Sequence, residues 1–92
     1  MTFEWNERKS RVNLAKHGVD FHTASLAFAD PFALTMPDEL HGDDESRFIM
    51  LAAIDTGTIL FVVFTVRAQD TIRLISARAA TQRERAIYEE AD

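Results

Sequence analysis

The chain has no cysteine, which excludes disulfides, thiolate nucleophiles and cysteine-ligated zinc and suits a reducing compartment. With two prolines and three glycines it holds no linker of the Pro- or Gly-rich kind, and no repeat or low-complexity tract interrupts it. Its longest apolar runs, Phe48 to Ile54 and Ile59 to Phe64, fall far short of the roughly 20 residues of a spanning helix. The start is polar, without the apolar h-region of a secretory signal. A cytoplasmic protein that makes no membrane contact is expected. Positive net charge is also missing: at −5 the chain does not coat nucleic acid through its overall field, because such binding draws on many phosphate contacts. Gly-rich phosphate loops, the Gly-x-Ser-x-Gly elbow and a convincing acid/base pair of carboxylates are absent as well.

What is present suffices for one domain over residues 1–92, since 92 residues at 47% hydrophobic build a single core. Phe3-Glu4-Trp5 alternates like a short edge strand. Asn6 is placed to cap a helix through Lys16 or His17, which Gly18 stops. Asp20 opens a second helix in which Phe21, Ala24, Ser25 and Phe28 share a face, and Asp30-Pro31 ends it. Phe32, Leu34 and Met36 alternate as a strand. Arg47 to Asp55, Thr58 to Arg67 and Thr71 to Ala77 read as an antiparallel meander whose middle strand is apolar on both faces. Thr81-Gln-Arg-Glu84 is a capping box that starts a last helix running to about Tyr88.

Although the protein is acidic, Arg67, Arg73, Arg78, Arg83 and Arg85 crowd its last third, and guanidinium forks grip phosphate bidentately at any working pH. A two-residue turn at Gln69-Asp70 sets Arg67 opposite Ile72 and Arg73 on the other face; one residue more or fewer reverses this, so the face of each arginine stays open. Arg78, at the strand end, is free to escape the alternation. Each arginine has a competing structural reading as an ion pair with Glu84, Asp55 or Asp70. His17, at a helix end, is either an acid/base or a carbonyl cap. His41 among Asp38, Glu39, Asp43 and Asp44 has the residue types of a metal site without a recognised ligand spacing.

In order along the chain stand Phe3-x-Trp5-Asn6-x-x-Lys9-x-x-x-Asn13-x-x-Lys16-His17-Gly18-Val19-x-Phe21-x-x-Ala24, Asp30-Pro31, Arg47-Phe48, and Arg73-x-Ile75-Ser76-Ala77-Arg78-x-Ala80-Thr81-x-x-Glu84-Arg85-x-x-Tyr88. This series resembles the BrnT family of toxins from Phe3 to about Tyr88. The resemblance implies an α+β fold: a small RelE-like domain with two N-terminal helices and a C-terminal helix packed on an antiparallel sheet of about four strands. It implies a ribonuclease toxin of a type II toxin–antitoxin pair that cleaves RNA and inhibits translation without a cofactor or metal. A BrnA-like, DNA-binding antitoxin would neutralise it in a heterotetramer or larger complex, with DNA touched only through the antitoxin. By matching position, Arg67, Arg73, Arg78 and His17 are its candidate catalytic residues and Lys16, Arg47 and Tyr88 its candidate RNA-binding residues. Trp5, Asn13, Gly18, Thr81 and Glu84 are carried over as structural or supporting.

The mechanism expected on that basis is attack of the RNA 2′-hydroxyl on the adjacent phosphorus, with arginines stabilising the equatorial oxygens. The rival reading is a non-catalytic module whose arginine cluster grips a protein or RNA without cutting it. A metal-dependent hydrolase built on His41 is the third.

Overall fold

Side-chain caps start each helix where the sequence places them. In the computed structural model, which describes residues 1–39 and 47–91, the Lys9 N–H donates to the Asn6 side chain at 3.0 Å and opens α1 (Glu7–His17). Gly18 ends that helix in the left-handed conformation at φ 75°, where glycine carries no Cβ penalty. Asp20 accepts from the Thr23 N–H at 2.7 Å and opens α2 (Phe21–Ser25). Beyond Ser25 the expected helix tightens into a 3-10 turn, Leu26–Ala29, short enough for Asp30 and Pro31 to redirect the chain. Thr81 and Glu84 form the full capping box at the head of α3 (Gln82–Glu90). No described helix is long and apolar enough to cross a membrane.

The sheet holds five strands rather than four: β1 (Thr2–Glu4), β2 (Leu34–Pro37), β3 (Arg47–Ala53), β4 (Ile59–Arg67) and β5 (Thr71–Ala79), in the order β1-β5-β4-β3-β2. It is mixed rather than antiparallel, because β1 runs parallel to β5 with Phe3 opposite Ile72. That pairing sets the Phe3 ring against Phe28, centroids 5.0 Å apart, while Glu4 lies on the other face opposite Arg73. Phe32 stands outside β2. Pro37 pairs with Phe48, which its missing N–H allows because β2 is an edge strand.

Two local irregularities decide which arginines share a face. The connection after β4 is a three-residue 3-10 turn, Ala68–Asp70, with Asp70 at φ 63°, a left-handed position that aspartate tolerates better than most residues. Arg67 consequently pairs with Thr71, and Thr65 with Arg73, which settles the question the sequence left open in favour of the longer turn: Arg67 and Arg73 lie on the same face. Further on, Val63 pairs with Ser76 and Phe64 with Leu74, leaving Ile75 as a bulged residue. The extra residue lets Leu74 and Ala77 both point into the core and keeps Arg78 in the ladder opposite Phe61, so the escape from the alternation open to it in the sequence is not taken.

The main core lies between one face of the sheet and α2 with the 3-10 turn that follows it, with Phe21, Leu60 and Val62 almost fully buried. Each such side chain contributes roughly 1.5–3 kcal/mol. Leu51, Ile59 and Val63 are buried outside that cluster, on the opposite face, where α3 packs over β3. The central β4 is thus apolar on both faces because both are covered.

Candidate functional site

Polar contacts, rather than an apolar stripe, seat α1 against the sheet. Beyond the end of β1 the outer edge of β5 has no neighbouring strand, and Asn13 takes that place: its amide donates to the carbonyls of Ala77 at 2.7 Å and Val19 at 2.8 Å, and its oxygen faces the Ala77 N–H at 3.4 Å. Ser10, also buried, accepts the Phe21 N–H at 2.9 Å. Between the helix so held and Ile75-Ser76 lies a cleft of about 500 Å³, lined by Asn6, Arg8, Lys9, Val12, Asn13, Lys16 and His17. No carboxylate lines it. Arg8, Lys9 and Lys16 form no ion pair among the described residues, so this is an uncompensated cationic surface on a chain whose net charge is −5.

The arginines of the last third are engaged differently. Arg73 Nη1 lies 3.0 Å from Glu4 Oε2 and Arg67 Nε lies 3.7 Å from Glu4 Oε1, so one carboxylate serves two guanidiniums and one positive charge is left over. Arg78 is held by both Glu84 oxygens at 2.8 and 3.0 Å and lies over the Phe61 ring, 3.9 Å from its centroid. The paired hydrogen bonds from Arg78 draw the Glu84 carboxyl below the usual carboxylate range against the opposing push of burial; the same bonds raise the already high pKa of Arg78. Arg85 donates to the Gly57 carbonyl at 3.2 Å. Arg47 Nε sits 3.2 Å from the buried Asp38.

Tyr88 is tied into the fold through Asp30. One Asp30 oxygen accepts the Phe32 N–H at 2.9 Å; the other accepts the Ala53 N–H at 2.8 Å and the Tyr88 hydroxyl at 2.5 Å. Burial alone would push this carboxyl up, but the hydrogen bonds from Ala53, Tyr88 and Phe32 outweigh it and hold the group below its usual value. Trp5 donates its indole N–H to Glu7 at 2.6 Å and packs its ring against the main core. His22 is exposed. His41, Asp43 and Asp44 lie outside the described residues, and among the described residues no group of three metal-ligating side chains assembles.

The structure therefore unites Lys16 and His17 with Lys9 and Ser76, joins Arg67 to Arg73 through Glu4, and sets Arg47 on the same sheet face as that pair, in one cross-strand row with Thr65 and Arg73; Tyr88 stands apart on α3, tied to Asp30. Arg8 went unnoticed in the sequence. The legible signal was the i, i+4, i+7 spacing of Lys9, Asn13 and Lys16, which puts them on one helix face. Asp30 was read only as a helix stop, yet it ties Ala53, at the end of β3, to α3.

A comparison with curated proteins found no significant match. The crystal structure of the Brucella abortus ribonuclease toxin BrnT, at 1.1 Å resolution, superposes with a TM-score of 0.70 at 26% identity, covering 89% of this chain and 99% of that one. The family described as "Ribonuclease toxin, BrnT, of type II toxin-antitoxin system" matches residues 5–84, a span that includes α1, the whole sheet except β1, and the capping box of α3. The chain belongs to the BrnT family of ribonuclease toxins of type II toxin–antitoxin systems.

Proposed function

We propose that this chain is a metal-independent ribonuclease that seats RNA phosphates in the cleft between α1 and β5 and uses His17 to move the proton. The observation that carries this reading is the cleft itself: Arg8, Lys9, Lys16 and His17 line it without a single carboxylate, on a chain that is acidic elsewhere. A phosphodiester is the ligand such a surface attracts, through charge and through N–H donors alike.

The chemistry is internal transfer. His17 takes the proton of a ribose 2′-hydroxyl, the oxygen attacks the adjacent phosphorus, and the P–O5′ bond breaks to leave a 2′,3′-cyclic phosphate and a 5′-hydroxyl whose proton comes from solvent. Since the nucleophile is part of the substrate, no metal-bound water is required. Lys16 and Lys9 stabilise the charge that gathers on the equatorial oxygens. Arg73 lies three strand residues from Ser76, about 10 Å along β5, so the charge left over at Arg67, Arg73 and Glu4 lies within reach of a neighbouring nucleotide. Arg78 acts indirectly, by fixing the junction of β5 and α3. In the cell the reading places the activity in the cytoplasm, with loss of translation as its result and a BrnA-like, DNA-binding antitoxin as the chain that silences it.

The test is cleavage of a defined RNA in excess chelator by the parent and by His17→Ala, Lys16→Ala and Arg78→Ala. Loss of roughly 100-fold or more is expected for His17→Ala, with unchanged circular dichroism and cyclic or 3′-phosphate ends from the parent. Cleavage that His17→Ala leaves intact, or that needs an added divalent ion, overturns the mechanism; RNA bound but never cut favours the non-catalytic module.

A further inference from the structure

At the other edge of the sheet the surface has the opposite chemistry. Two adjoining hollows of about 400 and 660 Å³ share Pro31, Phe32, Tyr88 and Glu89, and between them take in Leu26 and Leu34. Phe32 is 65% exposed and Leu26 53%, an apolar floor open to solvent beside the unpaired outer edge of β2. The rim is acidic. Asp55 and Glu89 stand on it, and Glu90 follows. The one cation among these lining residues, Arg85, is already engaged by Glu89 at 3.8 Å and by the Gly57 carbonyl. The last turn of α3 contains no basic residue, so the negative end of the helix dipole adds to the same field.

From this pairing of an apolar floor with an acidic rim we infer that the groove between β2 and the end of α3 docks a basic amphipathic segment of the antitoxin. Membership of a toxin–antitoxin family supplies the need for a protein partner, and charge complementarity supplies the place. RNA is repelled from this rim. A second copy in symmetric contact would bring the acidic rim of one groove to the acidic rim of the other, a like-charge approach that disfavours closure. The groove lies beside β2 and reaches Ile59 at the start of β4, whereas the sheet wall of the basic cleft is Ile75 and Ser76 of β5. Three strand spacings separate β2 from β5, about 14 Å. The segment that docks here thus captures the toxin without filling the cleft, which leaves inhibition to another part of the partner.

The experiment measures affinity of the purified cognate antitoxin by calorimetry for the parent, Phe32→Glu, Glu89→Lys and Arg11→Glu, with thermal unfolding and RNA cleavage recorded on every variant. The substituted side chains are exposed, so the fold is retained. Loss of affinity of 30-fold or more for Phe32→Glu and a clear loss for Glu89→Lys are expected, while Arg11→Glu binds as the parent does. Equal binding by all four overturns the groove and leaves the toxin reading intact. Self-association of the parent that Phe32→Glu abolishes, with antitoxin affinity unchanged, overturns it in favour of a second copy. No antitoxin binding by the parent overturns the assigned occupant; RNA cleavage by the same preparation then decides separately whether the ribonuclease reading falls too.

Discussion

Asn13 stands in for a strand at Ala77: its side-chain amide contacts both the N–H and the C=O of that residue, 64 positions along the chain, and so closes the edge of β5 that β1 is too short to cover. The same side chain holds the Val19 carbonyl, so one residue joins the C-terminal end of α1 to the last strand and sets the width of the basic cleft.

Replacing Asn13 with alanine leaves buried carbonyls at Ala77 and Val19 without their donor, each worth about 1–3 kcal/mol. Thermal and urea unfolding are expected to show a loss at the upper end of that range. RNA affinity should fall with it, because α1 loses its hold on β5.

Gly18→Ala isolates backbone strain. An added Cβ meets no heavy atom within 4 Å, but φ is +75°, a region that costs an L-residue roughly 1–2 kcal/mol. The expected outcome in urea is a midpoint lowered by about that amount with an unchanged m-value. Because His17 immediately precedes it, cleavage should drop further than stability alone accounts for.

Acid should weaken the fold through Glu84 and Asp30. Both carboxyls are held below their ordinary values in the folded state, Glu84 by Arg78 and Asp30 by hydrogen bonds that outweigh burial. The unfolded chain therefore takes up these protons first as pH falls, and the stabilisation present at neutral pH is lost progressively below about the ordinary Glu value of 4.5. Unfolding of the parent followed from pH 7 to pH 3 should show this slope. In Glu84→Gln it should flatten, from a lower starting stability.

Tyr88→Phe removes one donor from Asp30 and leaves the N–H groups of Phe32 and Ala53 in place. A hydrogen bond to a charged group contributes about 1.5–3 kcal/mol, so the variant is expected to unfold earlier in urea and to protonate Asp30 at a higher pH than the parent. RNA cleavage should be unaltered, since Tyr88 is far from the α1 cleft. A loss of RNA binding at full stability would instead support the RNA-binding role expected of Tyr88 from the sequence.

Much of the fold was legible because its signals are local. Asn6, Asp20 and the Thr81–Glu84 box each satisfy backbone N–H groups within three residues, and β3 and β4 reveal themselves by sustained apolar runs. The remainder depends on partners distant in sequence. Nothing within Thr2–Glu4 says that it will lie parallel to β5. The single additional residue in the Ala68–Asp70 turn, with Asp70 left-handed, moves Arg67 to the face of Arg73, and the Ile75 bulge is needed to bring both Leu74 and Ala77 inward. The arginines drew attention because they are dense. Their ion pairs with Glu4 and Glu84 are visible only once β1 and α3 are in place, and they leave one positive charge over at Arg67 and Arg73 beside the unpaired cations of α1.

The reliance of the cleft on α1 and β5 also has a consequence in time. A ribosome releases α1 early, but the wall opposite it, Ile75 and Ser76, belongs to the last strand, and loop closure over so long a span comes late in folding. Until β5 zips onto β4, the cations of α1 belong to an isolated helix too short to persist in water. A nascent or truncated chain therefore has the charged residues without the cavity, and the finished surface exists only once the chain has been made through β5.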